Sequence, residues 1–163
     1  MTTHTVYVLL GANLGDRAAT LHRALEHIRT DLGPVLQQSA LYETAAWGVT
    51  DQPVFLNQVL KVLSVFPPDE MLEKTQAIEN RLGRIRRERW GSRVIDIDLL
   101  YVDQLVQQTD TLTLPHPFLH ERRFTLVPLA EIAPDFVHPV FQKTNAQLLA
   151  ECADTGEVSK WLG

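Results

Sequence analysis

The chain has 163 residues, 45% of them hydrophobic, and a formal net charge of −5. That is enough apolar material for one core, and the wrong sign for a general binder of nucleic-acid backbone. One cysteine, Cys152, excludes an internal disulfide, the start MTTHTVYVLLGANLGDR lacks the basic head and long apolar run of a secretory leader, and no apolar run nears the roughly 20 residues of a bilayer crossing. The expectation is one cytoplasmic domain over residues 1–163, monomeric, with no nucleic-acid or membrane partner.

Residues 5–10 (TVYVLL) predict a strand running into GANLGDR, where Gly11, Asn13 and Gly15 mark a turn and Asp16 can cap a helix. Leu21, Leu25, Ile28 and Leu32 recur at helical spacing and predict that helix over 17–30. A second strand is read over 36–43, and a long, mostly buried one over 54–65, with Phe55 and Asn57 on one face and Leu56, Leu60 and Val62 on the other. Pro67 and Pro68 open a second helix that carries Asp69 and Glu70 in its first turn and runs to Gly83. VIDIDLLYV (94–102) reads as a strand, DQLVQQTDTLTLP as a hairpin and loop, and TLVPLAEIA and TNAQLLAECA as two short helices. The order predicts an α+β class: a ferredoxin-like βαββαβ core with an antiparallel sheet, helices packed on it, an extra hairpin and mobile loops.

Four constellations carry chemistry. Asp96 and Asp98 lie two apart in an apolar strand, so both carboxylates face one way, roughly 6 to 7 Å apart. Uncompensated, they would be costly to bury. Either nearby arginines or a divalent metal can neutralise them, and an all-oxygen set without His or Cys suits Mg²⁺, whose shell substrate phosphates can complete. Just upstream, Arg81, Arg84, Arg86, Arg87, Arg89 and Arg93 supply six of the fifteen basic residues, opposed only by Glu88. The segment GRIRRERWGSR, with Trp90, reads either as a solvated face or as a mobile lid that brings guanidinium groups onto phosphates. Phe55 and Asn57 put an aromatic plate beside an amide that both donates and accepts, a pairing suited to a flat heterocycle. Finally, LPHPFLHERRF holds His116 between prolines ahead of Arg122 and Phe124.

Together, GANLGDR, YET followed by WG and DQPVFLN, RERWGSRVIDIDLLYV, and LPHPFLHERRFTLVPLAEIAP resemble the 6-hydroxymethyl-7,8-dihydropterin pyrophosphokinase family, in order and spacing, over about residues 6–139. The resemblance implies transfer of pyrophosphate from ATP, as co-substrate, to the pterin hydroxymethyl group, leaving AMP, in folate synthesis. By matching position, Asp96 and Asp98 would hold two Mg²⁺ ions, and Arg84 and Arg93 would join them as catalytic residues at the phosphates. Gln76, Glu79, Trp90, Leu99, Thr113, His116, Pro117 and Arg122 fall where the family meets ATP. Thr44, Ala45, Ala46, Trp47, Phe55, Asn57 and Phe124, with Asp96, fall where it grips the pterin. Ala45 or Ala46 stands where many relatives carry proline, and Thr111 where some carry arginine. No general base is assigned, and Arg86 and Arg87 carry no assigned role.

Two rivals make different demands. A ferredoxin-like nucleic-acid binder needs exposed aromatics on a basic sheet face, whereas this central strand offers Asp96 and Asp98. A metal-dependent nucleotide hydrolase could use the two aspartates but has no use for Phe55, Asn57 and Phe124.

Overall fold

The computed structural model describes residues 2–44, 54–84 and 94–163. Strand β1 (His4–Ala12) leads through the GANLGDR turn into helix α1 (Arg17–Asp31), whose cap is Asp16: its Oδ1 accepts from the Ala19 amide at 3.1 Å. Gly15 takes a φ of 62° in that turn, a conformation glycine adopts without Cβ strain.

The single strand expected over 36–43 is instead two, β2 (Val35–Gln38) and β3 (Tyr42–Thr44). Both pair with β4 (Phe55–Ser64), β2 along its second half and β3 along its first. Ser39 is the cause of the break. Its amide keeps a ladder bond to the Val59 carbonyl at 2.9 Å, but its hydroxyl accepts from the Val59 amide at 3.0 Å and its carbonyl from Gln58 Nε2 at 2.9 Å, so side chains take over part of the ladder there.

Helix α2 (Pro68–Glu79) opens as expected on a proline with Asp69 and Glu70 in its first turn. Its regular part ends short of Gly83, because residues 80–84 form a wide turn in which Gly83 reaches a φ of 109°. β5 (Asp96–Val102) follows, then the hairpin β6 (Gln107–Gln108) and β7 (Thr113–Leu114). Helices α3 (Arg123–Ile132) and α4 (Asn145–Glu151) come next, the latter opened by a Thr144/Gln147 capping box. Strand β8 (Val158–Lys160) was not anticipated. At three residues it has too little periodicity to be read from sequence.

The main sheet is antiparallel in the order β5-β1-β4-β3-β8, with β2 beside β3 on β4. Central β1 and β4 are flanked by the later β5 and the earlier β2–β3, as in a ferredoxin-like βαββαβ domain. One sheet face, with Val8, Leu10, Leu56, Leu60 and Ile97, is packed by α1 and α2. Among the described residues the opposite face is covered at one end, where Tyr7, Leu9, Val59 and Tyr101 meet α3 and α4.

A bulge between Tyr7 and Val8 on the β1–β5 ladder leaves Leu100 without a paired residue. Leu100 and Tyr101 consequently point the same way, both into the α3–α4 side, and Val102 returns to the α1–α2 side. Tyr101 is anchored by its hydroxyl, which donates to Asn145 Oδ1 at 2.8 Å, while Asn145 Nδ2 donates to the Ala133 carbonyl at 2.8 Å. Burial raises the Tyr101 pKa well above its ordinary value. Among the described residues no helix is long and apolar enough to cross a membrane.

Candidate active site

Strand register builds the site. Asp96 of β5 pairs with Gly11 of β1, which pairs with Asn57 of β4, which pairs with Tyr42 of β3. One row over, Asp98, Leu9 and Val59 line up in the same way. Because alternate residues share a face, Asp96, Asp98, Gly11, Asn57 and Phe55 all lie on the face that α3 and α4 leave uncovered. There, with Thr44 of β3 beside Phe55, they line a cleft of about 640 Å³, whose other wall brings in Arg122 and Phe124.

At one end of the cleft stand Phe55 and Phe124, with Asn57 buried between the strands. Asn57 Nδ2 donates to the Leu10 carbonyl at 3.3 Å, while its Oδ1 has no hydrogen-bond partner among the described residues. Thr44 Oγ1 is equally buried and equally without a partner there. Buried polar atoms are normally satisfied, so two in one cleft mark where a ligand's polar atoms belong. The amide fits its place because residue 11 is glycine: a Cβ there would come within 2.7 Å of Asn57 Nδ2. Sequence reasoning missed Gly11 as a site residue, because its role appears only once β1 is paired with β4.

The flanks of this end are clasped by Arg17, absent from the sequence-level expectation. Its Nη1 donates to the Val54 carbonyl at 2.8 Å and its Nη2 to Glu43 Oε2 at 3.4 Å, joining the end of β3 to the start of β4.

At the other end Asp96 and Asp98 are half-buried and line the cleft side by side. Their strand is held from beneath. Glu79, expected at the nucleotide, is buried under β5, and its Oε2 accepts from the amide of Ile97, between the two aspartates, at 2.8 Å. Among the described residues no cluster of three or more His, Cys, Asp or Glu could cage a metal. A pair of carboxylates suits Mg²⁺, which takes most of its shell from phosphates and water, better than it suits a closed structural site.

Arg122 also lines the cleft, its guanidinium 5.1 Å from the Phe118 ring and 5.6 Å from the Phe124 ring. His116 is held by two backbone contacts. Its amide donates to the bulged Leu100 carbonyl at 3.0 Å, and its Nδ1 accepts from the Phe118 amide at 3.2 Å. Burial lowers its pKa, with Asp98 opposing and Arg122 reinforcing the shift. The neutral ring, with Nδ1 accepting, carries its proton on Nε2 as a donor.

Several expected nucleotide contacts lie away from the cleft wall. Thr113, His116 and Pro117 line a second hollow of about 210 Å³ beside the hairpin. Gln76 is exposed on α2, and Leu99 is buried in the α1–α2 core. Ala45, Ala46, Trp47, Trp90 and Arg93 lie outside the described residues, as do the side chain of Arg84 and the expected lid and pterin-side loop. The cleft further includes Glu121, Ala153 and Asp154, none of them anticipated.

Fold and cleft together define a ferredoxin-like α+β protein with a small-molecule site on the sheet face opposite α1 and α2. Residues 7–134 match the model of the HPPK family, 7,8-dihydro-6-hydroxymethylpterin-pyrophosphokinase, and the chain belongs to that family. The 2-amino-4-hydroxy-6-hydroxymethyldihydropteridine pyrophosphokinase of Methylorubrum extorquens is 48% identical over 92% of this chain and 94% of its own length. The Aquifex aeolicus protein of the same name is 44% identical over 85% of this chain and 86% of its own. Among solved structures, wild-type Plasmodium falciparum HPPK-DHPS superposes with a TM-score of 0.76 at 16% identity, over 92% of this chain. This chain spans 45% of that one, and the likeness establishes the fold.

Proposed function

We propose that this chain, acting as one domain over residues 1–163, transfers pyrophosphate from ATP to the hydroxymethyl group of 6-hydroxymethyl-7,8-dihydropterin, in folate synthesis. The observation that carries the reading is the pair of buried acceptors without a partner among the described residues, Asn57 Oδ1 and Thr44 Oγ1, in one cleft with two phenylalanines and, two and three strands over, the paired aspartates. A pterin is a flat ring edged with N–H donors, so it can stack between Phe55 and Phe124 while its edge meets those oxygens. Its hydroxymethyl arm then lies toward Asp96.

In the reaction the hydroxyl oxygen attacks the β-phosphorus of ATP in line, the bond from that phosphorus to the α-phosphate oxygen breaks, and AMP leaves. Positioning and charge neutralisation supply most of the acceleration. Asp96 and Asp98 would hold two Mg²⁺ ions, which would supply charge neutralisation for the polyphosphate and a lowered pKa for a nearby hydroxyl. Arg122, poised between the aromatic plates and the aspartates, meets phosphate oxygens near the pterin. His116 donates from Nε2 to the nucleotide. Arg84, Trp90 and Arg93 meet the nucleotide's phosphates, and Gln76, Leu99, Thr113 and Pro117 border the nucleotide. Glu79 orients β5 from beneath. The protein works as a cytoplasmic monomer without nucleic-acid or membrane partners.

Incubation with ATP, Mg²⁺ and the hydroxymethyl dihydropterin should yield AMP and a pterin diphosphate in equal amounts. ADP as the nucleotide product would overturn the pyrophosphoryl assignment.

A further inference from the structure

The two walls at the pterin end of the cleft come from parts of the chain that share no ladder. Thr44 ends β3, whereas Arg122 and Phe124 stand at the start of α3. The C-terminal segment, beyond the residues 7–134 matched to the family, touches both. β8 pairs with β3 through Thr44↔Val158, Glu43↔Ser159 and Tyr42↔Lys160. Just before it, Ala153 and Asp154 line the cleft.

Asp154 makes the connection between the walls. Its Oδ2 accepts from the Arg123 amide at 3.1 Å and its Oδ1 from the Gly156 amide at 2.8 Å. The first contact caps α3, whose preceding residue, Arg122, makes no side-chain cap bond. First-turn amides of a helix need such an acceptor, and the dipole there favours a carboxylate. The second contact turns the chain toward β8. One side chain thus sets the start of α3 against the strand that backs Thr44, with both its oxygens engaged by backbone.

We propose that Asp154 is a positioning residue for the pterin half of the site, fixing the gap between Phe124 and Thr44 rather than touching the reacting atoms. This rests on reading the cleft as a pterin site.

The test uses the full-length protein and its Asp154→Ala and Asp154→Asn variants, each first checked for a cooperative thermal transition. Pterin affinity is read by fluorescence titration, and KM for pterin and for ATP from AMP formation. Asp154→Ala should raise pterin Kd and KM about tenfold, the scale of a lost cap, and leave the ATP KM within about twofold. Asp154→Asn, which keeps one acceptor oxygen for Arg123, should recover most of the loss. An Asp154→Ala variant that binds pterin as tightly as wild type overturns the role, as do parallel rises in both KM values. A wild-type protein that binds no pterin brings down the cleft reading first, and this role with it.

Discussion

The two faces of the sheet come from the same strands and do opposite things. On the α1–α2 side, Leu10, Leu56 and Ile97 are almost wholly buried among other hydrocarbon side chains. Their immediate neighbours Gly11, Asn57, Asp96 and Asp98 turn to the other side and line the cleft. Two-residue periodicity lets one set of strands carry a rigid core and a polar site back to back, so the site inherits its geometry from the packing behind it.

That contrast can be broken in four ways, from the largest expected effect to the smallest. Replacing Asp96 or Asp98 by Ala should cut AMP formation by about a thousandfold, as several kcal/mol of charge stabilisation goes. Folding should survive, since both side chains are half-buried in the cleft and lie outside the hydrophobic core. Near-wild-type turnover in both variants would remove the metal role. On the opposite face, Leu56→Ala should cost about 3 kcal/mol of stability in denaturant titrations, with kcat retained below the transition; a lost kcat with intact stability would show that the faces are not independent.

The third concerns the covered end of the cleft face. His138 is buried there, stacked on Phe141 at 4.4 Å, and its Nδ1 accepts from the Val140 and Phe141 amides at 3.1 Å each. Burial, with the nearby His120 adding to it, lowers its pKa to about 4. The folded state therefore resists a proton that the unfolded chain accepts near pH 6.5. The stabilisation from neutral His138 is full above that pH and is lost as pH falls toward about 4, by up to about 3 kcal/mol. His138→Asn keeps an acceptor for the two amides, and its unfolding free energy should vary less across that window; an unchanged pH profile would assign the dependence elsewhere. Smallest is Gly11→Ala, whose methyl must displace the Asn57 amide. Pterin affinity should fall about tenfold, the value of one hydrogen bond to a buried group, with ATP affinity unchanged. Equal affinity would mean that Asn57 Oδ1 is not a pterin contact.

Much of this site could be read from the chain because it depends on local alternation. Asp96 with Asp98, and Phe55 with Asn57, share a face whatever the strands around them do. Gly11 and Asp154 were illegible for the opposite reason. Gly11 matters only through the strand it pairs with, and Asp154 only through a contact 31 residues away in the chain. The division of the expected strand over 36–43 escaped notice in the same way, since it hangs on Ser39 meeting β4 rather than on a turn residue. Glu79 shows a further limit. Its motif position suggests a ligand, but a carboxylate can equally serve by holding a backbone amide.

β8 has a consequence for solubility as well. With it in place, β3 is an inner strand, and the sheet ends on three residues that include exposed Ser159 and Lys160. A short edge bearing a lysine resists strand addition from a second molecule. Peeling the C-terminal residues away would bare the β3 backbone beside the cleft, so a proteolytic nick after Asp154 would favour self-association through that edge.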